Sequence, residues 1–327
     1  MMRTLVLGGT GFISRHLVYE LLRRGHQVSV LNRGQTPAEL LPDVERLYAD
    51  RTDPEAVKRA LGSREFDAAF DLSAYTTQTL APAVEALEGR VGRYVFCSTV
   101  GVYTPSETFP IRESQPLARD SLESLAKSAQ YALNKVACEN YLAERWRTHA
   151  FPLTILRPCI VYGPHNIISY WELSFFARLR RRRPILVPSD GSKVMHCVFV
   201  DDVAAAFASV PESGSSLGQA YSVAGPEANT FIGYASILGR IVGVEPELVF
   251  VPPDMMDDAE TPSSFSGFPW RRSVIFSIEK AQAHLGFRPR PLSVGLAETY
   301  RWYLAEGLDD RPWDFSEEDS LLKRLRV

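Results

Sequence analysis

The sequence predicts an α/β chain, a doubly wound parallel sheet followed by a smaller C-terminal α/β lobe. Three observations carry this. Short apolar runs alternate with helical patterns through the first half. The first of these runs ends in the glycine turn "GGTG" at 8–11. The second half breaks the alternation, holding most of the prolines and several short apolar pieces.

The elements follow in order. Strand Thr4–Leu7 feeds the turn and then a helix with Ile13, Leu17, Val18, Leu21 and Leu22 on one face. Gly25 stops that helix. Strand Gln27–Leu31 comes next, then short strands near Leu47, at Ala68–Leu72 and at Tyr94–Cys97. Helices are predicted near Pro54–Leu61 and Ala81–Leu87, and a long one over about Ser128–Thr148 leads into strand Leu153–Leu156. "CVFVDDVAAAF" (197–207) is expected to return to the first lobe. The expected division is 1–163 with 193–224 for the sheet domain, and 164–192 with 225–310 for the second lobe. A tail, 311–327, carries a Ser316-to-Asp319 spacing that suits a capping box.

The 327 residues suit one large domain or two interleaved ones, and 45% hydrophobic with 23% charged residues is ordinary for a globular protein. A net charge of −3 gives no global pull toward nucleic acid or an anionic membrane. No window approaches the ~20 apolar residues of a membrane span, and residues 1–3 lead straight into a strand without room for a signal peptide. Cys97, Cys138, Cys159 and Cys197 fit neither a disulfide framework nor a zinc pattern. They suit buried thiols of a cytoplasmic protein, and no metal site is expected.

A strand, a glycine turn and a helix make an anion site, since the turn exposes backbone N–H groups and the helix N-terminus adds positive potential. Gly8 and Gly11 let the backbone approach a pyrophosphate, with Phe12 and Ile13 next to it. Ser14 takes the third small position, where helix and strand pack. The next strand ends "VLNRG". An acid there would hold a ribose 2′-OH, but the chain has Asn32 and Arg33. A guanidinium can pair with a 2′-phosphate, which favours NADP over NAD. The alternative is a solvated Arg33 that stacks on adenine and accepts either cofactor. Asp50, followed by Arg51, lies where an acid could bond the adenine amino group or cap the helix before Pro54.

"QYALNKVACENYL" places Tyr131 and Lys135 at i and i+4, on one helix face. A free phenol is a poor base at neutral pH, and a nearby ammonium lowers its pKa. Such a pair can pass a proton while a nicotinamide takes or gives hydride. Ser98 and Thr99 end a strand and put a hydroxyl at the carboxyl edge of the sheet, where such sheets bind ligands.

Together these segments resemble the extended short-chain dehydrogenases/reductases, the NAD-dependent epimerase/dehydratase group with a Rossmann-type sheet. The landmarks are "GGTGFIS" at 8–14, "ADRTD" at 49–53, "CSTVGVY" at 97–103, "YALNK" at 131–135, "LRPCIVYGP" at 156–164, "VFVDDVA" at 198–204 and "FSIEKAQAHLGFRPR" at 276–290. The resemblance implies a triad of Thr99, Tyr131 and Lys135, with Lys135 also on the nicotinamide ribose. It implies Ala74 at the middle of the cofactor and Pro158 beside the nicotinamide. Tyr75, Trp270 and Arg271, with Arg272, are candidate substrate contacts. A homodimer through Ala81–Leu87 and Ser128–Thr148 is implied in the same way.

Two departures bear on the reaction. In the related 4,6-dehydratases the catalytic threonine precedes Asp-Glu, whereas Thr99 precedes Val100 and Gly101, which cannot move a proton. Epimerases of the group usually carry an arginine shortly before "VDD". Here Met195 and His196 stand there, and Lys193 lacks a bidentate fork. That leaves room for a simpler sugar, a polyol-like compound or another small hydroxy or keto molecule.

The remaining candidates have plainer readings. "RLRRRRP" (178–184) could meet a phosphorylated substrate or RNA, and chloroplast stem-loop-binding proteins share this fold. An exposed helix end and the negative net charge speak against RNA. His16, His165 and His196 are expected to be structural or surface residues, and Asp201 or Asp202 to cap a helix. The expectation is an NAD(P)-dependent epimerase or oxidoreductase acting on a sugar nucleotide or sugar-like molecule. The alternatives are an NADPH-dependent carbonyl reductase and a non-catalytic cofactor- or RNA-binding regulator.

Overall fold

Strands buried on both faces need helices on both sides, and that is what the alternation supplies. The computed structural model describes residues 1–35, 42–118, 126–166, 171–256 and 271–325. The first lobe runs β1 (Arg3–Leu7), α1 (Phe12–Arg23), β2 (Gln27–Asn32), β3 (Glu45–Tyr48), α2 (Pro54–Leu61), β4 (Ala68–Asp71), α3 (Thr77–Leu87), β5 (Tyr94–Cys97), α4 (Ala126–His149) and β6 (Leu153–Pro158). β7 (Ile160–Tyr162), α5 (Trp171–Arg180), β8 (Ile185–Pro188), β9 (Val194–Phe199), α6 (Val200–Ser209) and β10 (Ala220–Val223) follow. The chain continues through β11 (Ala228–Thr230), α7 (Phe231–Val242), β12 (Leu248–Val251), α8 (Glu279–Leu285), α9 (Leu292–Ala305) and α10 (Ser316–Leu325).

Seven strands form one sheet in the order β10–β6–β5–β4–β1–β2–β3, all parallel. One face packs Leu17, Val18 and Leu21 of α1 with Val203 and Phe207 of α6. The other packs Leu80, Val84 and Leu87 of α3 with Cys138 and Leu142 of α4. Gly25 ends the α1 segment as predicted, at φ +76 with its N–H on the Leu22 carbonyl. α3 starts four residues earlier than the sequence suggests, because the Thr76 hydroxyl accepts from the Thr79 N–H and caps it there.

One strand of the 193–224 segment stands apart from the seven. β9 does not join the main sheet. It pairs with β7 and with β11, while α6 directly after it packs on α1. β8 and β12 form a separate parallel pair. The expected Ser316–Asp319 capping box is not formed. Asp314 accepts from the Ser316 N–H at 2.9 Å, and the Asp319 carboxylate goes to Arg183 instead. All four cysteines are free and buried. Among the described residues no helix is long and apolar enough to cross a membrane.

Candidate active site

β1 has β2 on one side and β4 on the other, so the chain leaves it in both directions and opens a crevice at the carboxyl ends. A cleft of about 380 Å³ lies there, lined by Gly8, Thr10, Asn32, Arg33, Asp50 and Tyr75 among others. Gly8 and Thr10 of the lining belong to the turn that leads into α1. Gly11 stands at the N-cap without a side-chain cap, and the first turn holds no acidic residue. Phe12 and Ile13 are the first residues of that helix, so their N–H groups belong to its unpaired end. The Ser14 hydroxyl takes the Gly11 N–H at 3.1 Å, which fits its predicted packing place. Gly9 was not singled out from the sequence. It sits at φ +79, and a Cβ there would collide with the Val30 side chain. The doubled glycine was the available signal.

Three predicted cofactor residues have defined local duties. The Asn32 amide donates to the Gly8 carbonyl at 2.9 Å and accepts from the Gly34 N–H at 2.8 Å, tying the two loops of the cleft together. Asp50 does not cap α2. Asp53 does, accepting from Glu55 and Ala56, while Asp50 accepts from the Thr52 N–H and hydroxyl, which hold its carboxyl below the usual value. Arg51 borders the cleft, but its guanidinium is spent on the fully buried Asp71 (2.9 and 2.6 Å), the Thr79 carbonyl and Ser73. Asp71 also accepts from the Tyr94 hydroxyl at 2.6 Å. Arg33 is exposed at the end of β2.

The reacting end lies beyond Tyr75. Thr99 follows β5, and its Oγ1 accepts from the Gly101 N–H at 3.2 Å. Tyr131 and Lys135 face it from one side of α4. The Tyr131 ring is 39% exposed and packs 6.1 Å from the ring of Tyr75, itself 53% exposed. Lys135 is buried. Its Nζ donates to the Ala74 and Cys97 carbonyls, both at 2.7 Å. This corrects one expectation. The Tyr131 pKa is raised, not lowered, in this arrangement. Burial pushes the phenol well up, the Cys97 thiol and Tyr75 add to it, and a hydrogen bond with Thr99 pulls the other way. The ammonium, 6.0 Å from the Tyr131 ring centre, is turned onto backbone oxygens. Burial also lowers the Lys135 pKa itself. Two of its three N–H groups are spent, so one remains.

The model of the NAD dependent epimerase/dehydratase family matches residues 4–224. The chain belongs to that family. It is 30% identical over 343 residues to the chloroplast stem-loop binding protein of 41 kDa b of Arabidopsis thaliana, covering 99% of this chain and 85% of that protein. It is 31% identical over 338 residues to the UDP-glucose 4-epimerase of Mycolicibacterium smegmatis, covering 92% of this chain and 98% of the other. The solved UDP-glucose 4-epimerase of Thermus thermophilus in complex with NAD is similar at a TM-score of 0.74 and 26% identity, covering 93% of this chain and 99% of that one. The family and fold read from the sequence are both met.

This epimerase/dehydratase-family chain also carries a network that the sequence reading missed. Arg157 on β6 forks onto Glu139, one turn beyond Lys135, at 3.0 and 2.5 Å. Its third contact is the Tyr103 hydroxyl at 3.1 Å, and that hydroxyl bonds Ser222 of β10 at 2.8 Å. Pro158 follows Arg157 at the end of β6, so the pair locks α4 against the strand that ends at the site. Nothing in the local pattern marks a partner 18 residues away.

The remaining candidates lie outside this site. Arg180 and Arg181 pair with Asp309, Arg183 with Asp319, and the buried Arg178 with Glu318 at 3.7 Å. The arginine run thus holds the C-terminal stretch. His16 lies between the Asp201 carboxylate (2.5 Å) and the Pro164 carbonyl (3.0 Å), and Asp202 binds Arg290. Neither aspartate caps α6, whose N-cap is Phe199 without a side-chain bond, so that expectation is corrected. His196 is buried between the Gly225 carbonyl and the Phe276 N–H, a structural role as expected. His165 packs between His16 and Trp302. Met195 is buried, Lys193, Arg271 and Arg272 are exposed, and Trp270 lies outside the described residues.

Proposed function

We propose that this chain is an NAD-dependent sugar-nucleotide epimerase or oxidoreductase with Tyr131 as its acid/base. The observation that supports it most is the grouping of Thr99, Tyr131 and Lys135 beside Tyr75, a residue of the cleft lining. The residues present fit a dinucleotide. An α1 N-terminus without a side-chain cap or acidic first turn suits a pyrophosphate. Gly8, Gly11, Phe12 and Ile13 would hold it there. Asn32, Asp50 and Arg51 would border the adenosine, with Ala74 and Pro158 toward the nicotinamide. When bound, NAD takes and returns a hydride at the substrate carbon.

As a phenol, Tyr131 can donate its proton to a carbonyl oxygen. Taking a proton from a hydroxyl requires the phenolate, and the remaining Lys135 N–H is the group that can stabilise it. Thr99 would orient the reacting oxygen. Val100 and Gly101 offer no proton transfer for an elimination, which leaves epimerisation or carbonyl reduction. UDP-glucose, the substrate named for two relatives, is the first probe. Lys193 is the exposed cation available to its diphosphate, with Tyr75, Trp270 and Arg271 as further contacts. Arg33 also suits a 2′-phosphate, so NAD against NADP is part of the test. A homodimer through α3 and α4 belongs to the same proposal.

RNA binding without turnover draws on the name of the chloroplast relative, but the ion pairs of the arginine run do not support it.

The test is to purify the protein without added nucleotide, denature it and identify what is released. Stoichiometric NAD(H) supports a retained cofactor and an epimerase cycle. An empty protein that prefers NADPH supports a carbonyl reductase. Tyr131→Phe should lower turnover by about 10²- to 10⁴-fold with nucleotide binding nearly unchanged. Full turnover in that variant overturns the proposal.

A further inference from the structure

The ammonium expected to meet the ribose is not open to one in this structure. Lys135 is 2% exposed. Two of its N–H groups go to the Ala74 and Cys97 carbonyls. Two aromatic rings flank the ammonium, Phe96 at 4.8 Å and Tyr75 at 4.9 Å.

These rings are held very differently. Phe96 is fully buried in β5, in the middle of the sheet. Tyr75 is half exposed on the loop after β4. Its N–H donates to Thr79 Oγ1, but its hydroxyl makes no hydrogen bond among the described residues. Among the described residues its ring meets the Tyr131 ring and the Lys135 ammonium. Tyr75 also lines the dinucleotide cleft. Of the two rings, the exposed one therefore borders both the cleft and the charge.

We propose that Tyr75 is a positioning residue for Lys135, a ring that keeps the ammonium on the two carbonyls and that a nucleotide must turn aside to reach it. The inference rests on the nucleotide reading above. An exposed ring changes rotamer in picoseconds to nanoseconds, so it does not limit the rate of binding. Its cost is to affinity. Giving up one cation–π contact is worth about 2- to 30-fold in Kd.

The test is calorimetric titration of the full chain with NAD, or with NADP where the unaltered chain prefers it. Tyr75→Phe keeps the ring face and should bind within about twofold of the unaltered chain. Tyr75→Ala should bind more tightly, by about 2- to 30-fold. Tyr75→Leu should do the same and serves if the alanine variant does not fold. In a Lys135→Met background the effect of Tyr75→Ala should vanish, because the contact it removes is already gone. Weaker binding by Tyr75→Ala would make the ring a wall of the nucleotide site and overturn the proposal. Unchanged binding overturns it too, as does an effect that survives Lys135→Met. If the unaltered chain binds neither nucleotide, the functional reading falls as well. If it binds one and only the Tyr75 effect is missing, the functional reading stands.

Discussion

In the seven-stranded lobe three cations, Arg51, Lys135 and Arg157, are bonded across elements. Arg51 reaches from the loop after β3 to Asp71, Arg157 from β6 to Glu139 on α4, and Lys135 from α4 to the carbonyls that follow β4 and end β5. In the second lobe most arginines of the 178–184 run are partly exposed, and they meet acids of the C-terminal stretch. The first set shapes a site, whereas the second fastens a tail. The proposed function draws on the first set and not on the second.

The sharpest way to break this contrast is Arg157→Met. It leaves Glu139 buried without its partner and should cost about 3–5 kcal/mol in urea unfolding. Adding Glu139→Leu should recover much of that. A single-variant loss below about 1 kcal/mol would mean that the buried pair does not hold α4.

Next comes Gly9→Ala, which forces a side chain into a left-handed backbone and against Val30. The expected loss is about 2–4 kcal/mol, read as a lower Tm, together with weaker nucleotide binding. A neutral Gly9→Ala would show that the loop can re-form.

Glu172 tests the second lobe, where it is a buried exception to the pattern of exposed pairs. Burial pushes its carboxyl up to about 7 from the usual 4.5, against the Gly163 N–H and Asn166 bonds that lower it. The unfolded chain releases this proton first, so the folded state holds more protons between those values and stability falls as pH rises through them. His165 works the other way. Burial takes it down to about 4 from 6.5, so its contribution is lost as pH falls through that window. The difference between the unaltered chain and Glu172→Gln isolates the first effect. It should shift against the unaltered chain by on the order of 2–3 kcal/mol from pH 5 to pH 8. A difference that does not change with pH would mean Glu172 is not held protonated.

The smallest effect is expected from Asp309→Asn, which removes the partner of Arg180 and Arg181. Pairs this exposed are worth about 0–1 kcal/mol. A loss above about 2 kcal/mol in thermal unfolding would place the arginine run among the structural charges.

Much of the first lobe was legible because its signals are local. Hydrophobic periodicity located β1, α1, β2 and β5 to within a residue or so, and i, i+4 spacing put Tyr131 and Lys135 on one face. Several of the misses were long-range. The Arg51 pairing with Asp71, 20 residues on and across the sheet, has no local mark. Asp50 and Asp53 both precede Pro54, and only the backbone course decides which carboxylate reaches the helix N–H groups. The segment holding β9 was expected to return to the first lobe, but its strand partners are β7 and β11, which no local pattern marks.

By itself the sequence determined the alternation, the glycine turn and the face that Tyr131 shares with Lys135, because each depends on residues within one turn or one strand. The tertiary structure alone decided where the charges point. Lys135 meets Ala74 from 61 residues away and Cys97 from 38, distances closed by the order of the strands. That order, and the Tyr75 ring it brings over the ammonium, is a property of packing that no local pattern encodes.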